Sequence, residues 1–120
     1  MKLRGRREIV ASSPEPDVRW KGMIVTRGDV LETLAGFHRS RRQEYGILRI
    51  GVFGSAARDR LAGDSDVDVV VELERPDLLQ LVGIKQELET LLGRPVDVVR
   101  YRKEMNPFLR RHIEQEAVYA

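Results

Sequence analysis

No cysteine occurs among the 120 residues. That excludes disulfides, thiol catalysis and cysteine-ligated zinc, and it agrees with a cytoplasmic setting. No apolar run approaches the ~20 residues that a membrane helix needs, so no membrane partner is expected. The basic N-terminus lacks the apolar stretch of a signal peptide. There are no internal repeats. An excess of one charge is missing too, with 21 Lys and Arg against 19 Asp and Glu, a net charge of +2. Residues 1–22 hold six of the cations and three of the anions, so they carry +3 and leave −1 for the rest. A body this close to neutral gives no reason to expect direct nucleic-acid binding.

What remains is enough for one domain with a core. Apolar residues make up 42% of the sequence. Residues 1–22 contain Arg6-Arg7 and the breaker-rich Ser12-Ser13-Pro14-Glu15-Pro16, and they are expected to form a flexible basic leader. Met23 then opens a folded domain spanning 23–120.

The domain is organised around Ile47–Leu73. The apolar run Ile47–Phe53 ends at Gly54-Ser55, ten residues follow, and Asp66-Val67-Asp68 then heads a second β-branched run. Side chains alternate along a strand, so Asp66 and Asp68 share one face and Val67, Val69 and Val71 the other. The two aspartates lie roughly 6.6 Å apart at strand rise. Carboxylates so spaced can converge on two divalent ions about 3.5–4 Å apart, and hard oxygen ligands suit Mg²⁺. Gly54 permits a tight turn and close backbone approach, and Ser55 can cap a short helix continued by Ala56-Ala57-Arg58. A helix start offers free N–H groups to an anion. A nucleoside triphosphate with Mg²⁺ fits between these two strand ends. A lone Gly-Ser or Asp-x-Asp would be ordinary loop chemistry, so the specificity lies in their ordered combination.

This stretch resembles the defining motif of the DNA polymerase beta-like nucleotidyltransferase superfamily. From about Arg27 to Tyr119 the chain resembles the minimal nucleotidyltransferase antitoxins encoded beside HEPN-domain toxins. Arg58, Ser65, Val96-Asp97-Val98-Val99 and Ile113–Tyr119 support the match. The resemblance implies an α/β (α+β) nucleotidyltransferase fold, a small mixed β-sheet with helices packed mainly on one face. It implies Mg²⁺-dependent transfer of AMP from ATP to a tyrosine of a partner HEPN toxin. Asp66, Asp68 and Asp97 would be the catalytic and metal-holding residues for two Mg²⁺ ions. Gly54, Ser55, Arg58 and Ser65 would bind the nucleotide. Two alternatives stand beside this function: an inert antitoxin that neutralises by binding, and a small-molecule nucleotidyltransferase, disfavoured by the lack of a substrate domain.

The remaining elements follow from local chemistry. Thr26 and Asp29 form a capping box ahead of a helix that runs to about Glu44, with Leu31, Leu34, Phe37 and His38 as its buried stripe. Arg39, Arg41 and Arg42 read as a solvated face. Gly46 stops that helix. Pro76 and Asp77 are expected at the first two positions of the next, with Leu78, Leu81, Val82, Leu88, Leu91 and Leu92 facing the core and Gly93 closing it. Asp97 is the lone acid of an apolar third strand. Burying it would be costly unless it were paired or metal-bound, which argues for a place beside the other two aspartates. Asn106-Pro107 caps a last helix whose Phe108, Leu109 and Ile113 can pack on the sheet, and Val118-Tyr119 follows as a short extended tail.

Overall fold

The computed structural model describes residues 26–58, 66–75 and 77–120. The leader, Met23, Ser65, Pro76 and the spacer acids Asp59 and Asp64 lie outside the described residues. The element order is α1 (Arg27–Tyr45), β1 (Ile47–Phe53), β2 (Val67–Leu73), α2 (Leu78–Leu92), β3 (Val96–Arg100), α3 (Pro107–Glu116) and β4 (Val118–Tyr119). The strands form one mixed sheet in the order β3-β2-β1-β4. β1 runs antiparallel to both β2 and β4, while β2 and β3 are parallel.

Alternation along the strands divides the molecule into two cores. Ile47, Ile50 and Val52 of β1 and Val67, Val69, Val71 and Leu73 of β2 meet Val30, Leu34 and Phe37 of α1 and Ile84, Leu88 and Leu92 of α2. The other face carries a smaller cluster: Phe53, Val70 and Met105 with Ile113 of α3. The expected mixed sheet, with helices mainly on one face, is therefore what forms. The division also decides where the acids go. Asp68 lies between Val67 and Val69 in the strand, so it shares Val70's face, the one under α3.

Helix ends follow the local rules. Thr26 and Asp29 close the capping box, and Gly46 and Gly93 end α1 and α2 in left-handed conformations. Asn106 accepts from the Phe108 and Leu109 N–H groups, with Pro107 at the first turn. The expected start of α2 needs correction. Asp77 is its N-cap, accepting from Leu79 N–H, and not a residue of the first turn.

Helix faces need correction as well. Val30, not Leu31, is fully buried in α1, Leu31 packing at the core's margin. Ile84, Leu88 and Leu92 are the buried row of α2, while Leu78, Val82 and Leu91 are 75%, 44% and 51% exposed. Steps of four from Ile84 hold one face against the sheet, and 78, 82 and 91 lie off it. Phe108 is 80% exposed, so on α3 the packing falls to Ile113 and Leu109. His38 is half-buried with Nε2 3.1 Å from the Ile47 carbonyl, a packing role as expected. Arg41 bonds Glu44 and Glu87, and the Tyr45 hydroxyl donates to Glu87 as well. That last bond, more than burial, pushes the Tyr45 phenol up to about 12. These contacts join α1 to α2 well away from the acids.

Candidate functional site

The site forms where β1 ends beside the start of β2. Phe53 is the register partner of Asp68, so the next residue, Gly54, turns directly against that carboxylate. Gly54 is buried with φ +68°. A Cβ built on it would collide with Asp68 Oδ2. Glycine is required here twice over, by the left-handed backbone and by the absence of room.

Gly54–Arg58 form a turn and not the expected short helix, with the Arg58 N–H donating to the Gly54 carbonyl at 3.2 Å. Two contacts pin this turn. Ala56 and Ala57 sit in the larger core, and Arg27 Nη1 donates to the Ala57 carbonyl at 3.0 Å. The first residue of α1 thereby sets the position of Ser55, which is half-buried within the turn.

The three aspartates come together through the sheet. Asp66 directly precedes β2 and is exposed, and Asp68 is half-buried. Asp97 is the parallel register partner of Asp68. The expected place of Asp97 is thus correct, but the reason given for it is not. Asp97 is exposed, because β3 is an edge strand and its outer surface meets water. No burial cost drives it toward the other acids; register does. Glu72 lies farther along β2 and pairs with Arg49 at 2.9 Å, away from the site.

Electrostatics single out Asp68. Burial raises its pKa, and the charges of Asp97 and then Asp66 raise it further. His112 and Arg58 pull the other way. A cation would relieve the same repulsion, so this donor set fits a hard divalent ion. Among the described residues, no group of three His, Cys, Asp or Glu side chains is drawn together closely enough to hold a metal. What the sheet provides is the register pair of Asp68 and Asp97, with Asp66 directly before β2.

Sequence reasoning missed the wall that α3 adds. Glu116 accepts from Arg58 Nη1 at 2.8 Å, and the same oxygen lies 3.4 Å from His112 Nε2. The His112 ring meets Phe53 edge-on, with centroids 6.2 Å apart. No linear spacing links position 58 to 112 and 116; the return of β4 to β1 brings α3 over the acids. Lys85 and Glu89 were missed as well. Lys85 donates to the Val96 carbonyl at 2.8 Å, Glu89 accepts from the Val96 N–H at 3.0 Å, and the two pair at 2.7 Å. Both backbone groups of the residue before Asp97 are therefore fixed by α2. A groove of about 770 Å³ between α1 and α2, lined by Phe37, Arg41, Glu87 and Leu91 among others, contains none of the candidate site residues.

A glycine turn against paired strand carboxylates, on a small mixed sheet, defines a nucleotidyltransferase. The chain matches the nucleotidyltransferase domain over residues 34–120 and belongs to that family, among its minimal nucleotidyltransferases. It is 33% identical over 97 residues to a protein adenylyltransferase, MntA, of Thermococcus cleftensis, covering 80% of this chain and 97% of that protein. A solved chain provisionally described as a minimal nucleotidyltransferase is 38% identical, with a TM-score of 0.59, covering 73% of this chain and 93% of that one. A chain in the complex of tri-AMPylated Shewanella oneidensis HEPN toxin with MNT antitoxin gives a TM-score of 0.58 at 17% identity, covering 78% and 70%. That likeness is one of fold. No helix among the described residues is long and apolar enough to cross a membrane.

Proposed function

We propose that this nucleotidyltransferase transfers AMP from ATP to a tyrosine hydroxyl of a HEPN-domain toxin and so acts as its antitoxin. The observation that carries the reading is the register pairing of Asp68 with Asp97 beside the Gly54 turn. It supports a place for metal-bound phosphate next to a place for an acceptor. The protein adenylyltransferase name of its Thermococcus cleftensis relative and the HEPN toxin in the Shewanella complex support the substrate and partner.

In this reading the acceptor oxygen attacks the α-phosphorus. A new P–O bond forms, the bond to the bridging oxygen breaks, and pyrophosphate leaves with its electron pair. Asp66, Asp68 and Asp97 would hold two Mg²⁺ ions. When bound, these ions neutralise phosphate charge and stabilise the attacking and leaving oxygens. Asp97, exposed on β3, would take the hydroxyl proton. Gly54 and Ser55 would receive the triphosphate tail, and Arg58 would offset its charge. Ser65 is assigned to the nucleotide on its place in the motif alone. Docking of the partner would supply the proximity of acceptor and nucleotide.

Incubation of the toxin with this protein, ATP and Mg²⁺ tests the reading by mass spectrometry. One or more AMP additions are expected, lost with Asp66→Ala or Asp68→Ala. An unchanged toxin mass with toxicity still relieved would instead establish neutralisation by binding.

A further inference from the structure

Arg58 sits beside Asp68 on the turn that would meet the triphosphate. It is half-exposed, and a free arginine side chain there would lose much rotamer freedom on binding phosphate. It is not free. Its Nη1 donates to Glu116 Oε1 at 2.8 Å. Glu116 leaves the fork's other donors, Nε and Nη2, unengaged, and among the described residues they make no hydrogen bond. Glu116 is itself anchored. It closes α3, whose Ile113 is fully buried, and its carboxylate lies 3.4 Å from His112, which packs on Phe53. Phe53 immediately precedes the Gly54 turn. The path from the turn through Arg58, Glu116, His112 and Phe53 back to the turn is therefore closed.

We infer that Glu116 is a positioning residue of the nucleotide site, holding the Arg58 guanidinium by Nη1 so that its other donors are presented to the β- and γ-phosphates. This rests on the function proposed above. Because Arg58 belongs to the phosphate side, the effect should be specific to the tail. A nucleotide with only an α-phosphate should not sense it. A merely structural role would weaken all nucleotides alike.

Calorimetry on the full chain with Mg²⁺ tests this, using α,β-methylene-ATP and AMP as probes. Glu116→Ala should weaken the triphosphate analogue about tenfold, the scale of one charge-assisted contact. Glu116→Gln should recover part of that loss, since its amide oxygen still accepts from Nη1. AMP affinity should not change with either. Triphosphate affinity that stays the same or tightens in both variants overturns the inference, the latter by making Glu116 a competitor for Arg58. Equal weakening of AMP and the analogue overturns it too. If the wild-type protein binds neither probe, the nucleotidyl-transfer reading fails along with it.

Discussion

Asp68 carries the most strained charge among the candidate site residues. Its carboxyl is raised by burial and by two neighbouring aspartates. An acid whose folded pKa is raised costs the native state stability once ionised. The cost is absent below the unfolded pKa, grows as pH rises and is complete above the folded pKa. Asp68→Asn should therefore raise the melting temperature by a few degrees at neutral pH, with the gain vanishing in acid, while abolishing transfer. Thermal melts across pH check the first part and the toxin mass assay the second. At this scale Asp66, Asp68 and Gly54-Ser55 were legible because they lie in one linear motif. The exposure of Asp97 was not. Hydropathy marks a strand as apolar but does not say whether it is central or at the edge, and only the order β3-β2-β1-β4 decides that.

Among the elements, β3 depends on α2 more than on neighbouring strands at its first residue. Glu89 accepts from both Lys85 and the Val96 N–H, and these bonds hold its carboxyl below the usual range. An acid with a lowered folded pKa contributes stability above its unfolded pKa and loses that contribution as pH falls through the folded value. Glu89→Gln should destabilise by about 0.5–1 kcal/mol at neutral pH, a modest figure because the pair is partly exposed. Urea titrations should show the difference closing in acid, and amide exchange at Val96 should quicken. The capping chemistry of the helices was readable from Thr26, Asp29, Gly46, Gly93 and Asn106, since each acts on its own neighbours. The α2 face was not. Leucines populate every side of that helix, and the sheet it meets, absent from local sequence, selects Ile84, Leu88 and Leu92.

For the whole molecule, the second and smaller core is what keeps α3 above the acids. Ile113 is fully buried in it, whereas Leu79, on α2, is 80% exposed. Ile113→Ala should cost about 2–4 kcal/mol and lower transfer as α3 loosens. Leu79→Ser should change stability by less than about 0.5 kcal/mol. Equilibrium denaturation of both variants compares them directly.

Gly51 lets β4 approach β1 more closely than any side chain would allow: a Cβ there would lie 2.5 Å from the Val118 carbonyl oxygen and 2.9 Å from Tyr119 Cα. The partners Gly51 and Tyr119 belong to β1 and β4, with β2, α2, β3 and α3 between them in the chain. Closing so long a loop is slow relative to local pairing. During synthesis the glycine turn, Asp66 and Asp68 would emerge well before Glu116 and Tyr119. A nascent chain would thus carry the Gly54 turn, Asp66 and Asp68 before it could seat Arg58, and the order of translation would delay that contact until Glu116 had emerged.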